Sequence, residues 1–266
     1  MSEADPVKVG PYTLKKLIAT GAQSQVWTAS GPDGEVVIKW ARTSRHRAAL
    51  EREAKVLGIG EHDNLARLID AASNFDWLAL EHIEGTPIDQ WAQLEEPDRV
   101  ATMALQLLDA VAYLHGHGII HGDIKPSNVL VDQNGTLKLL DLGIATLPGE
   151  KVLDGFKGTL GYAAPEMLKG GAPNIGTDLY GFGALLYTCL TARSPFVAAD
   201  PAALTYLPLV SLPAPPSAFK PELSSQLNQL LLGLLARNPS RRPGNIEEIR
   251  AELQQSIQTK PAPPVL

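Results

Sequence analysis

The stretch that decides the fold is His121–Leu130, which reads HGDIKPSNVL. It follows a segment with helical periodicity and brings together an acid, Asp123, a base, Lys125, and an amide, Asn128. Thirteen residues after Asn128, Asp141 begins the triplet DLG. Asn128 and Asp141 could ligate a divalent metal, because Mg²⁺ takes one or two carboxylates together with phosphate oxygens. Asp123 is then free to orient a hydroxyl, so the donor set favours phosphoryl transfer, which needs positioning and charge neutralisation.

Strands are predicted ahead of this stretch, and helices dominate around and after it. The strand-like segments of the first part are Tyr12–Ala19, Gln25–Ala29, Glu35–Trp40, Ala66–Ala71 and Trp77–Glu81. One helix, Ser44–Leu57, interrupts them, with Ser44 as its expected N-cap. The later elements are a helix that begins at Asp98, two short strands at Val129–Val131 and Leu137–Leu140, and helices at Asp178–Leu190, Leu223–Arg237 and Ile246–Ile257. This order is α+β, with a boundary near Glu84–Pro87.

Composition narrows the functional classes. The chain has 266 residues and a net charge of −6, which argues against a general nucleic-acid binder. No apolar run reaches the roughly 18 residues that a membrane span needs, so no membrane association is expected. The single cysteine, Cys189, can form no internal disulfide and suits a reducing compartment. A cytoplasmic protein is therefore expected.

These motifs resemble those of the eukaryotic-like (Hanks-type) protein kinase family, in its serine/threonine branch. His121–Asn128 corresponds to the family's H-R-D-x-K-x-x-N and Asp141–Gly143 to its D-F-G. Further matches, in the family's order, are Val36–Lys39 (V-A-I-K), Gly158–Tyr162 (G-T-x-x-Y), Ala164–Glu166 (A-P-E), Asp178–Gly183 (the helix start D-x-W/Y-x-x-G) and Arg242, the arginine that pairs with the A-P-E glutamate. The resemblance covers roughly residues 10–255 and is closest to the bacterial branch.

The resemblance implies a bilobal fold, with an antiparallel β-sheet N-lobe carrying one main helix and a mostly helical C-lobe. The expected organisation is an N-terminal extension at residues 1–10, a kinase domain at 11–258 and a Pro-rich tail at 259–266. The N-lobe would span about 11–84 and the C-lobe about 85–258.

The resemblance also assigns roles to matching positions. Lys39 would contact the α- and β-phosphates of ATP, and Glu53 is its expected partner because it shares an inward helix face with Ala49 and Val56. The remaining catalytic residues would be Asp123, which orients the substrate hydroxyl, and Lys125, which stabilises the transferring phosphoryl group. Asn128 and Asp141 would hold Mg²⁺, for which Mn²⁺ could substitute, and Thr159 would dock the substrate. The nucleotide site would comprise Ala19, Gly21, Ser24, Val26, Val37, Lys39, Leu80, Glu81, Ile83 and Leu130.

Two departures from the family pattern affect the expected activity. In the Gly-rich loop, which aligns with Ala19–Val26, only Gly21 remains of three glycines, so weaker ATP binding is expected. Gly122 replaces the arginine that in the family pairs with a phosphorylated activation loop. The hydroxyls between Asp141 and Glu166 are those of Thr146, Thr159 and Tyr162. These features suggest a kinase that does not depend on activation-loop phosphorylation.

Three functions remain open. The first is an ATP- and Mg²⁺-dependent kinase that acts on Ser/Thr residues of protein substrates. The second is a pseudokinase, either a scaffold or a nucleotide-binding module, which the altered Gly-rich loop motivates. The third is a small-molecule phosphotransferase, since such relatives often carry His-Gly-Asp, although Ala164–Glu166 and Thr159 favour a protein substrate. Bacterial relatives often carry a sensor domain after the kinase core, so either a separate regulatory partner supplies the signal or the sequence belongs to a longer chain.

Overall fold

The computed structural model describes residues 7–150 and 158–258. These residues pack as two compact units. The first comprises the described residues up to Glu84 together with the segment Leu140–Ile144, and the second comprises Gly85–Leu139 and the described residues from Ala145 onward. The expected Pro-rich tail, the start of the expected extension and residues 151–157 lie outside the described residues.

The first unit is built on a six-stranded antiparallel sheet. In chain order its elements are β1 (Lys8–Val9), β2 (Tyr12–Thr20), β3 (Ser24–Gly31), β4 (Gly34–Ala41), α1 (Arg47–Leu57), β5 (Leu68–Ala71) and β6 (Trp77–Glu81). The spatial order of the strands is β1-β2-β3-β4-β6-β5. The β3–β4 hairpin closes through Pro32 and Asp33, with Gly31 opposite Gly34, as the turn-forming residues favour.

Alternation along β4 gives the sheet two different faces. Val36 and Ile38 point into an apolar cluster on one face, where Trp27, Trp40 and Trp77 pack against it. The opposite face carries Lys39. The predicted N-cap at Ser44 is wrong, because residues 44–46 first form a 3-10 turn and α1 then begins at Arg47 without a side-chain cap.

The second unit is mainly helical and contains a small sheet. Its strands are β7 (Gly85–Pro87), β8 (Val129–Asp132) and β9 (Leu137–Leu139), in the order β7-β8-β9. Its helices are α2 (Ile88–Ala92), α3 (Pro97–Gly116), α4 (Pro165–Leu168), α5 (Ile175–Thr191), α6 (Pro201–Val210), α7 (Ser225–Leu234) and α8 (Ile246–Gln258). Helix α5 is buried along most of its length and packs against α3 and α7. The α+β class is thus confirmed.

Among the described residues, the helices are all too short or too polar to cross a membrane.

Candidate active site

Lys39 is the centre of the polar cluster in the first unit. Its Nζ donates to Glu53 Oε2 and to Asp141 Oδ1, each at 2.6 Å. The side chains of Lys39 and Glu53 are 10% and 2% exposed, whereas that of Asp141 is 47% exposed. Strand β4 supplies the lysine, the inward face of α1 supplies Glu53, and the segment Leu140–Ile144 supplies Asp141. The structure therefore holds a buried ammonium between two carboxylates.

The charges of this cluster depend on one another. Burial alone would lower the pKa of Lys39, but the carboxylates of Glu53 and Asp141 outweigh burial and raise its pKa above the ordinary value. Burial raises the pKa of Glu53, and Asp141 adds to this effect while Lys39 opposes it. Lys39 consequently stays protonated throughout the neutral range. Asp141 has a left-handed backbone, with φ of 61°, which aspartate tolerates better than most residues.

Most of the predicted nucleotide residues of the first unit share the sheet face that carries Lys39. In the strand registers, Val26 lies opposite both Ala19 and Lys39, and Val37 lies opposite Leu80. Directly opposed residues of antiparallel strands point to the same face. The sheet thus presents small and apolar side chains around the charged end of Lys39.

The predicted positions Glu81 and Ile83 differ in whether their backbone N–H groups are already used. The Glu81 N–H is used, since it donates to the Arg67 carbonyl at 3.0 Å, and Glu81 Oε1 accepts from the Arg67 N–H at 2.9 Å. The Ile83 N–H, in contrast, donates to no other described residue. Of the two positions, Ile83 has the donor available for a ligand.

Asp123 is the centre of the polar cluster in the second unit. Lys125 Nζ donates to Asp123 Oδ2 and to Thr159 Oγ1, both at 2.5 Å. Asn128 Nδ2 donates to the Asp123 carbonyl at 2.9 Å and to Asp123 Oδ2 at 3.2 Å. Asp123 and Thr159 also line a small pocket together with Tyr162. The structure thus brings the predicted residues Asp123, Lys125, Asn128 and Thr159 together, while Leu130 follows on β8.

Asp178 anchors the loop that carries Asp123, and the sequence reasoning did not assign it this role. Its carboxylate is buried and accepts the backbone N–H of His121 at 2.9 Å and that of Gly122 at 2.8 Å. His115 Nε2 lies 2.8 Å from Asp178 Oδ2. The sequence feature that could have revealed this role is the position of Asp178, an acid near the start of the otherwise apolar helix α5. Gly122 has φ of +79°, a left-handed backbone that glycine adopts most readily.

Glu166 and Arg242 form the structural ion pair that the sequence predicts. Arg242 Nη1 and Nη2 donate to the two carboxylate oxygens of Glu166 at 2.6 and 2.7 Å. Burial alone would raise the pKa of Glu166, but the hydrogen bonds and charge of Arg242 lower it below its usual range. The pair ties α4 to the segment before α8.

The residues expected to hold a metal have suitable donors. Asp141 supplies a carboxylate in the first unit. Asn128, in the second unit, uses its Nδ2 for Asp123, and its Oδ1 accepts no hydrogen bond from a described residue. Carboxylate and amide oxygens are ligands that Mg²⁺ prefers. Each of the two side chains therefore carries an oxygen of the kind that Mg²⁺ binds.

A second group of ligand-type side chains comprises Glu35, His82 and Glu84, whose ligand atoms lie within 4.8 Å of one another. Lys15 Nζ already pairs with Glu35 at 2.5 Å, and both glutamates are exposed. Glu35 therefore already has a cationic partner, and exposed acidic groups of this kind are common without a metal.

Comparison with known proteins identifies the family of this chain. The model of the protein kinase domain family matches residues 12–255. Serine/threonine-protein kinase pkn3 of Myxococcus xanthus is 31% identical over 269 residues, which cover 91% of this chain and 49% of that protein. A probable serine/threonine-protein kinase of Streptomyces coelicolor is 29% identical, covering 95% of this chain and 41% of that protein. PrkC of Bacillus subtilis, a serine/threonine-protein kinase, is 26% identical, with coverages of 92% and 40%.

The chain belongs to the protein kinase family, in its eukaryotic-like serine/threonine branch with bacterial relatives. The resemblance stated from the HGD, DLG and APE motifs is confirmed, and with it the protein kinase fold. The chain spans about two fifths to one half of the length of these relatives.

Proposed function

We propose that the protein transfers the γ-phosphoryl group of ATP to Ser/Thr hydroxyls of protein substrates. The observation that carries this proposal is the position of Lys39, held at 2.6 Å from both Glu53 and Asp141. A buried lysine that stays protonated provides a fixed positive charge for phosphate oxygens. Glu53 keeps that charge in place, because a lone ammonium would be costly to bury.

The nucleotide would lie on the sheet face around Lys39. Val26 and Val37 offer apolar surface for the adenine ring, as Leu130 would from β8. The Ile83 N–H, which has no protein acceptor among the described residues, would donate to the base. Gly21 and Ser24 belong to the loop that would lie near the phosphates.

The acceptor hydroxyl would be oriented by Asp123. Lys125, bonded to Asp123 and Thr159, would stabilise charge on the transferring group. Thr159 would in turn support the docked peptide. Phosphoryl transfer depends mainly on such positioning and charge stabilisation.

Mg²⁺ would be held by Asn128 and Asp141, and Mn²⁺ accepts the same oxygen donors. The metal supplies neutralisation of charge on the phosphate oxygens. Asn128 Nδ2 meanwhile donates to Asp123, so the same side-chain amide would orient Asp123 through its nitrogen and bind the metal through its oxygen.

We also propose that activity does not require phosphorylation of the activation loop. Gly122 provides no cation to meet a phosphate there, and Asp178 fixes the loop through backbone N–H groups. Thr146, one of the three hydroxyls in the segment, should be dispensable. Loss of activity in a folded Thr146→Ala protein would contradict this view.

We assign the kinase domain to residues 11–258, with the division into lobes at residues 84 and 85. Because ATP is a cytoplasmic substrate, we place the domain in the cytoplasm. Its expected partners are Ser/Thr-containing proteins, with a separate protein to regulate it.

The direct test incubates the protein with labelled ATP and a generic protein substrate, with Mg²⁺ or Mn²⁺. Asp123→Ala and Lys39→Ala variants serve as controls, and a metal-free arm tests the cation. Label should appear on Ser or Thr in the wild-type reaction alone. Transfer of label that persists in both variants would contradict the proposal. ATP binding without transfer would favour the pseudokinase alternative, and transfer only to small molecules would favour the third function.

A further inference from the structure

Arg42 makes two contacts with the loop that joins β2 to β3. Its backbone N–H donates to the Gln23 carbonyl at 3.0 Å, and its Nη1 donates to the Gly21 carbonyl at 3.3 Å. Within the loop, the Gly21 N–H donates to the Ser24 carbonyl at 2.9 Å. Arg42, the residue directly after β4, therefore holds the loop between β2 and β3, which lies about twenty positions earlier in the chain.

These bonds occupy three carbonyl groups of the loop and leave two of its N–H groups unused. The carbonyls of Gly21, Gln23 and Ser24 each accept a hydrogen bond from the protein. The N–H groups of Ala22 and Gln23 donate to no other described residue. A loop that binds phosphate must present N–H groups and keep carbonyl oxygens away, because the oxygens repel an anion. Arg42 supplies the donors for two of these three carbonyls, those of Gly21 and Gln23, in the absence of a ligand.

Glycine does not explain the loop conformation. A Cβ built on Gly21 would lie 3.5 Å from the Ser24 carbonyl oxygen, which is an ordinary contact. Ala19 and Ser24 occupy two of the positions where the family pattern has glycine. Another source of order is therefore needed, and Arg42 is the residue that reaches the loop from outside.

We propose that Arg42 is a positioning residue of the nucleotide site, which holds the loop Gly21–Ser24 with its free N–H groups directed to the phosphates. This inference rests on the proposed use of ATP, although the hold on the loop exists without nucleotide. The guanidinium acts through the loop carbonyls and needs no contact with the phosphates.

Arg45 provides a matched control. It lies three residues further along, is exposed like Arg42, and has no ion pair or side-chain hydrogen bond with any described residue. Replacing either arginine by alanine removes one positive charge from the same region. Only the Arg42 variant also removes the bond to the Gly21 carbonyl.

The first measurement is amide hydrogen exchange of Gly21 in the full, nucleotide-free chain. Arg42→Ala should speed exchange of this amide about two- to tenfold, the range expected for loss of one net hydrogen bond. Arg45→Ala should leave the rate unchanged. An unchanged rate in Arg42→Ala, or an equal increase in Arg45→Ala, would overturn the proposal.

The second measurement is binding of Mg²⁺-ATP and of adenosine by calorimetry. Arg42→Ala should weaken ATP binding by about the same factor and leave adenosine binding unchanged, because adenosine has no phosphates. A positioning role would be contradicted if Arg42→Ala weakened the binding of ATP and of adenosine equally. It would also be contradicted if Arg45→Ala weakened ATP binding as much as Arg42→Ala does. If the wild-type protein binds no ATP, the proposed kinase function fails, and the exchange result alone decides whether Arg42 holds the loop.

Discussion

The Glu166–Arg242 pair allows a stability prediction with a worked magnitude. The substitution is Glu166→Gln, which keeps the shape of the side chain and removes its charge. The Arg242 side chain is 1% exposed and the Glu166 side chain 15% exposed. Besides Glu166, the guanidinium donates to the carbonyls of Ala236 and Gly176. The arginine therefore stays in place and buried when its counter-charge is lost.

The cost follows from this burial. Removing one partner of a buried ion pair typically destabilises a protein by 3–5 kcal/mol, since it leaves a charge without compensation. Glutamine can still accept one of the two bonds, but its NH₂ group faces a guanidinium nitrogen. We therefore expect a loss of about 3 kcal/mol. At about 2–4 °C per kcal/mol for a chain of this size, the melting temperature should fall by about 6–12 °C.

The assay is thermal unfolding at pH 7, with Asp109→Asn as the matched control. Asp109 accepts from Arg250 at 2.5 Å, but the Asp109 side chain is 44% exposed. Exposed pairs contribute about 0–1 kcal/mol, so the control should lose at most a few degrees. A Glu166→Gln protein within one degree of wild type would refute the reasoning, as would an equal loss in the control.

The effect of pH has a definite sign. The pKa of Glu166 is lower in the folded protein than in the unfolded chain, where it is about 4.3. The pair therefore stabilises the protein above that value and loses its contribution as the pH falls through the lower folded pKa. The difference in melting temperature between wild type and Glu166→Gln should have its full size at pH 7 and become smaller below about pH 4. A difference that grows with acid would contradict the assignment.

Three further predictions concern the candidate site. Lys39→Met should reduce phosphoryl transfer at least a hundredfold while Glu53 becomes protonated, which carboxyl infrared bands can report; retained activity would contradict the role of Lys39. Asp178→Asn should lower kcat by a larger factor than it changes KM for ATP, because asparagine has one carbonyl oxygen in place of the two carboxylate oxygens that accept the loop N–H groups. Changes of equal size in kcat and KM would contradict this positioning role. Gly21→Ala should leave the melting temperature unchanged, since a Cβ fits there, and weaken ATP binding; a drop of several degrees would show that the loop needs glycine.

Local patterns were enough to predict much of the first unit. The V-A-I-K resemblance pointed to Lys39, and the helical spacing around Glu53 put that residue on an inward face as its expected partner. The structure has the two side chains 2.6 Å apart. The bond from Lys39 to Asp141 could not be derived in this way, because 102 residues separate them. Such a contact depends on the path of the whole chain, which no short pattern specifies.

Several elements of the second unit escaped prediction for a local reason. Helix α6 begins at Pro201 and contains Pro208, a residue that normally interrupts helices. Asp200 caps it by accepting the Ala202 N–H at 3.0 Å. Helix α2 and strand β7 are five and three residues long, too short to show a period. Their stability comes from packing within the unit, which the sequence reasoning did not include.

The anchoring of the loop that carries Asp123 explains why the change at Gly122 can leave the position of Asp123 unaffected. Asp178 binds the backbone N–H groups of His121 and Gly122, and every residue except proline has such a group. Glycine also suits the left-handed backbone at this position. The departure from the family pattern therefore removes a cation that an activation-loop phosphate could bind, while the bonds that hold the loop remain. The proposed independence from activation-loop phosphorylation is therefore compatible with a fixed position of Asp123.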